Sequence, residues 1–356
     1  MRYGLPYKGS KNGIAEWVCD NLPNAENFYD LFCGGCAITH CAMVRGKYKT
    51  YTINDITDTQ ELFYNAIMGK YQNETRWISR EDFFKLKDND AYIRYLWSFG
   101  NNGKNYLYSK EIEPYKKALH YARVFKDFSE FEKMGIELKD ASNKNIIQHE
   151  KEIKEKYIEW AIKYFDFSDE EIKMYEELEK KGVFDNLKKG SVGTVQLKKR
   201  LQSLQRLQNL QRLQSLESLQ RLQSLQRLQS LQKLQRLQSL ESLQRLEKFQ
   251  GSYEDVKIKE NSVIYCDIPY KGTAEYIGGF DHERFYNWAR SQKELVVISE
   301  YSMPDDFICI ARIEKLQLLN GKGSGKKVLE GLFIPKHQEK LYIRKQTDLD
   351  QLLLDF

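Results

Sequence analysis

Apolar and polar residues follow two regimes along this chain of 356 residues. In the first 60 residues, and again after residue 251, short apolar runs stop abruptly at acids, prolines and glycines, as buried strands do where they feed turns. Residues 27–32 (NFYDLF) and 48–53 predict two strands, with a helix at 37–44 between them and a short helix at 14–18 before them. Further along, 255–258, 263–270, 295–299, 307–313 and 341–344 predict strands, and 282–291 predicts a helix. Strands alternating with helices imply an α/β chain with a largely parallel sheet. Residues 61 to about 185 are polar, rich in Lys, Glu and Tyr with thin apolar stripes, and predict helices.

The second regime is a repeat. Leucine fills every third position from Leu201 to Leu246, sixteen times, with Gln, Ser and Arg in most of the gaps. On an α-helix such leucines step back by about 60° each and circle the helix, and on a strand they alternate faces. The spacing is not a heptad, so a regular coiled coil is disfavoured. Residue propensity favours a helix. The near-identical units read either as a variable-length insertion or as an arm that faces DNA or a protein partner.

The strands end in residues that carry chemistry. The run at 263–266 leads into Asp267-Ile268-Pro269-Tyr270. At the carboxyl end of a strand, where α/β sheets bind ligands, an acid, a fixed turn and an aromatic face suit a planar base with an exocyclic amine. An ordinary strand ending in a turn shows the same four residues, so the motif alone does not decide. Asp30-Leu31-Phe32 runs into Cys33-Gly34-Gly35-Cys36, a strand and glycine turn before a helix, which is the opening of a nucleotide-binding unit without the G-x-G-x-x-G of a dinucleotide site. Asp55 follows Asp30 by 25 residues, near the ~20-residue interval at which such folds place an acid on ribose hydroxyls. Residues 97–106 interleave Trp, Phe and Tyr with Asn, Gly and Lys, a composition suited to contacting nucleic acid or to an ordinary surface loop. Residues 321–326 (GKGSGK) resemble a P-loop but lack its first glycine and its Ser/Thr, and read as a basic hairpin loop.

Charge and cysteine content refine this picture. The net charge is +5, yet residues 198–248 carry eleven Lys/Arg against three Glu, so the positive field is concentrated in the repeat. That distribution suits a polyanionic partner or a merely solubilising segment. Six cysteines show no repeated metal-ligand spacing, and no metal site is expected. Met1-Arg2-Tyr3-Gly4 lacks the apolar stretch of a signal peptide and no apolar run approaches membrane-spanning length, so a cytoplasmic protein with reduced thiols and no membrane contact is expected.

Taken together, Pro6-Tyr7-x-Gly9-Ser10-Lys11, Asp30 through Gly35, Asn54-Asp55 and Asp267-Ile268-Pro269-Tyr270 resemble the adenine-N6-specific DNA methyltransferases of the Dam-type family, in the same order along the chain. Ser299-Glu300-Tyr301 with Pro304-x-Asp306-Phe307 is similar to a later element of that family. The resemblance covers roughly residues 3–110 and 251–345. It implies a Rossmann-like methyltransferase sheet with helices on both faces, formed by residues 1–60 and 251–356. A helical target-recognition region at 61–195 and the Leu-Gln repeat at 196–250 would be inserted into it. S-adenosylmethionine, without a metal, is the implied cofactor, contacted by Tyr7, Lys11, Asp30, Phe32, Gly34 and Asp55. Asp267, with the carbonyl of Ile268 or Pro269, would accept the hydrogens of the target N6 amine, and Tyr270 would stack on a flipped-out adenine. The implied partner is double-stranded DNA, bound by a monomer in a bacterial or phage-infected cell, with the repeat as a surface for a protein partner. The chain departs from the Asp-Pro-Pro-Tyr pattern at Ile268, which with the repeat leaves open a homologue that binds without turnover; N4-cytosine methylation, or methylation of another planar amide or amine, by the same tetrapeptide is the other alternative.

Overall fold

A computed structural model of the chain describes residues 2–138, 149–180, 206–207, 245–270, 279–317 and 326–354. Its centre is a seven-stranded sheet in the order β3-β2-β1-β4-β5-β7-β6. β1 (Asn27–Asp30), β2 (Thr50–Asp55), β3 (Leu246–Gln250), β4 (Ser262–Cys266) and β5 (Leu295–Glu300) run parallel. β6 (Phe307–Gln317) and β7 (Lys326–Pro335) form an antiparallel hairpin that joins β5 through β7. The order turns about β1, whose neighbours are β2 and β4, so the carboxyl ends of those strands border a crevice.

Alternation along the strands builds two cores. Phe28, Val263, Tyr265, Leu295 and Val297 face one side, where they meet α1 (Ala15–Asn21), α2 (Ala37–Val44) and α3 (Thr59–Ile67). Tyr29, Ile264, Cys266, Val296 and Ile298 face the other, where Phe285, Tyr286 and Ala289 cover them. A strand buried on both faces has no polar face left, which is why β4 and β5 read as continuous apolar runs.

The helical region has two parts. Residues of α3, α4 (Arg80–Leu86) and α5 (Ala91–Leu96) join the first core. α6 (Glu113–Val124), α7 (Ser129–Glu132) and α8 (Glu150–Tyr164) build a separate core around Tyr115, Phe131 and Tyr157; α9 (Asp169–Lys180) follows. The repeat lies outside the described residues except near its ends. Leu207 packs in the helical core and Leu246, its last leucine, begins β3 beside β2. Residues 246–250 thus belong to the sheet rather than to the inserted repeat.

The C-terminal part differs from expectation in three places. Residues 256–258 form no strand and follow a short 3-10 turn at Tyr253–Asp255. β7 is a full strand at residues 326–335, where no strand was expected; of the basic loop expected at 321–326, residues 321–325 lie outside the described residues. Residues 341–344 lie in the helix α11 (Glu339–Leu354), not in a strand; α10 (His282–Ser291) precedes it in the chain. The turn before α11 places Gln338, whose side chain accepts from the Val296 N–H at 2.9 Å and donates to the carbonyls of Gln292 and Glu294. That side chain ties the turn before the helix to the start of β5 through three hydrogen bonds.

Candidate active site

The crevice at the ends of β1, β2 and β4 is lined by Tyr7, Lys11, Asp30, Phe32, Gly34 and Asp55, together with Asp267 and Pro269. Two sequence segments more than 200 residues apart meet there because β1 and β4 are adjacent, with Asp30 paired to Tyr265. Asp267 then projects just past the end of β4, as the apolar run stopping at an acid predicts.

The glycine turn is shaped by close backbone approach. Leu5 N–H donates to the Gly35 carbonyl at 2.6 Å, which brings the N-terminal loop against the turn. A Cβ on Gly35 would lie 2.8 Å from Tyr7 Cβ and 3.2 Å from the Leu5 oxygen, so only glycine fits. Asp55 fixes the same turn from β2. Its Oδ2 accepts from Gly34 N–H at 2.9 Å, and its Oδ1 accepts from the amide and hydroxyl of Thr57. Phe32 leans into an aromatic wall, with ring centroids 5.2 Å from Tyr253 and 5.7 Å from Phe280.

Asp30 is buried at the end of β1. Its Oδ2 accepts from Thr39 Oγ1 at 2.7 Å, while Oδ1 is buried with no hydrogen-bond partner. Burial, reinforced by the nearby charges of Asp267 and Asp55, outweighs the Thr39 bond and raises its carboxyl to about 7. The unpartnered oxygen can accept a hydrogen bond from a donor that enters the pocket.

The acid of the tetrapeptide sits in a chain of alternating charges. Lys11 Nζ donates to Asp267 Oδ1 at 2.6 Å and lies 3.7 Å from Glu330 Oε1. Glu330 on β7 is fully buried; it pairs with Lys315 on β6 and accepts from Ser299 Oγ at 2.6 Å and from the Tyr270 hydroxyl. Burial would push Glu330 up, but Lys11 and Lys315 hold it below its ordinary value. Burial leaves Asp267 raised despite Lys11, with Glu330 adding to the rise. The ring of Tyr270 lies beneath the Lys11 ammonium at 4.5 Å and against Tyr301 at 4.4 Å.

One carbonyl of the tetrapeptide is held by a side chain. His282 Nε2 is 2.8 Å from the Pro269 oxygen and, as the Nε2–H tautomer, donates to it. The Ile268 side chain is 2% exposed and points into the core beneath the sheet. Its replacement of proline therefore changes no pocket-facing side chain.

Eight of the ten residues singled out in the sequence line this crevice; of the other two, Ile268 is buried in the core and Tyr270 packs beside Lys11 and Tyr301. Lys11 is placed on Asp267 rather than only along the cofactor loop. Glu330, Lys315, Thr39 and His282 were not anticipated. Glu330 left a signal, an acid inside the run Val328-Leu329-Glu330-Gly331-Leu332-Phe333. In the stretch 97–106, Trp97 and Tyr106 are core residues, whereas Phe99 is 63% exposed at the turn. Among the described residues no group of three His, Cys, Asp or Glu could hold a metal, and no helix is long and apolar enough to cross a membrane.

Residues 7–147 match the D12 class N6 adenine-specific DNA methyltransferase family. No curated protein matches the chain.

Proposed function

We propose that this chain is a member of the D12 class N6 adenine-specific DNA methyltransferase family, whose model matches residues 7–147, and that its crevice methylates adenine. S-adenosylmethionine, when bound, supplies a methyl group on a positively charged sulfur. The pocket suits it: Asp30 offers an unpartnered buried oxygen for an ammonium group, and the Gly34-Gly35 turn offers close backbone approach. Tyr7 and Phe32 would wall the pocket. Asp55 Oδ2, which takes one hydrogen bond from Gly34, keeps a lone pair for a ribose hydroxyl.

Asp267 would accept one hydrogen of the N6 amine of an adenine swung out of the duplex. The Ile268 carbonyl would accept the other, because His282 already engages the Pro269 carbonyl. Both bonds turn the nitrogen lone pair toward the methyl donor, so the residues act by orientation and electrostatics rather than by covalent attack. Tyr270 would stack on the base, since an adenine inside the duplex cannot reach the pocket. The exposed turn at Phe99 and the helical region at 61–195 are the surfaces we assign to target recognition. The repeat we take as an insertion anchored at both ends.

What carries this reading is the convergence of Asp30 and Asp267 on one crevice, one with an unpartnered oxygen and the other beside a stacking tyrosine. Asp267→Ala tests it. The variant is expected to lose at least about 10²-fold in methyl-transfer rate, as for removal of one group that stabilises a developing charge. Its cofactor affinity and cooperative unfolding should persist. A variant that still methylates at the wild-type rate overturns the assignment.

A further inference from the structure

One buried charge has no task in that mechanism. Glu330 is fully buried on β7, away from the cofactor pocket, yet four groups converge on it. Ser299 and Tyr270 donate to Oε1, Lys315 pairs with Oε2, and Lys11 stands 3.7 Å from Oε1. A buried carboxylate is tolerated when it is paired, and the partners of this one include Lys11, which also engages Asp267.

Lys11 is the movable member. Its ammonium donates to Asp267 Oδ1 at 2.6 Å and lies 4.5 Å from the Tyr270 ring centroid. A target adenine needs those same two contacts, its amine on Asp267 and its ring over Tyr270. The ammonium thus occupies the place of the exocyclic amine and must leave when the base arrives. A shift of about 1 Å toward Glu330 brings it within hydrogen-bond range of Oε1.

We propose that Glu330 is a positioning residue that takes over Lys11 as the target base enters, while its bond to the Tyr270 hydroxyl keeps the stacking ring in place. The inference rests on the roles given above to Asp267 and Tyr270.

Glu330→Gln preserves shape and still accepts from Ser299 and Tyr270, but removes the charge that receives Lys11. The test compares wild type, E330Q, K11M and the double variant on duplex DNA carrying 2-aminopurine at the target position, with single-turnover methyl transfer to normal DNA measured in parallel. E330Q is expected to slow transfer by about tenfold or more and to reduce the fluorescence rise on base entry, with cofactor affinity held within about twofold in S-adenosylhomocysteine titrations. In the K11M background, with no ammonium to relocate, E330Q should leave the fluorescence rise unchanged. An equal loss in both backgrounds overturns the proposal, as does an E330Q protein as fast as wild type or one that loses cofactor affinity together with rate. If wild type transfers no methyl group, the reading beneath the proposal fails and takes the proposal with it.

Discussion

Asp30 holds Thr39 with one carboxylate oxygen and has no hydrogen-bond partner for the other, inside the wall of a pocket. Its carboxyl is raised from 3.8 to about 7, chiefly by burial. Between those values the folded protein binds a proton that the unfolded chain has released. Stability conferred by the protonated acid is therefore present below about pH 4 and lost as pH rises toward 7, by roughly 4 kcal/mol at most. Asp30→Asn keeps the shape without the charge. Denaturant unfolding of the cofactor-free variant should show a flatter pH dependence between 4 and 7 and higher stability than wild type at pH 8, while cofactor affinity falls. Parallel pH profiles for the two proteins would contradict the assignment. Asp267 was legible in the sequence because it ends a run of apolar residues, and Asp30 and Asp55 because each lies at or near the end of a strand-like run, Asp30 just before the glycine turn. Thr39 and His282 were not, since a hydroxyl within a helix and a histidine at a helix start carry no mark of their partners.

At the scale of elements, the glycine turn is tightly constrained by sterics. Gly35→Ala places a methyl 2.8 Å from Tyr7 Cβ and 3.2 Å from a backbone oxygen, so the N-terminal loop must move away. Overpacking of this kind costs about 1–3 kcal/mol. Thermal unfolding should report that loss, and calorimetric titration should report weaker cofactor binding; unchanged affinity would show that the loop does not shape the pocket. The buried strands β1, β4 and β5 were legible as apolar runs. β3 was hidden because four of its five residues are exposed and its first is the last leucine of a repeat. β7 was hidden by its two lysines and by Glu330-Gly331, which break the alternation. Leu341-Tyr342-Ile343 imitates a strand, but Ile343 is 57% exposed on the helix, while Leu341 and Tyr342 pack against the core. Tertiary packing, with Gln338 as its anchor, decided that segment against local propensity.

For the whole molecule, the order of strands explains why motifs scattered from Tyr7 to Tyr270 read as one site. The sheet turns about β1, so the ends of β1, β2 and β4 meet, and the long segment between β2 and β3 can hold helices and a repeat without disturbing the crevice. That same separation hid the β6–β7 hairpin's contribution, because nothing in the spacing of Lys315 or Glu330 ties either to Lys11. The central claim is that this crevice moves a methyl group to the N6 of adenine in DNA. The most direct measurement is transfer from labelled S-adenosylmethionine to unmethylated duplex DNA, followed by nucleoside analysis of the product. The account predicts label in N6-methyladenine. Label in N4-methylcytosine, or none from a protein shown to bind the cofactor, would contradict it.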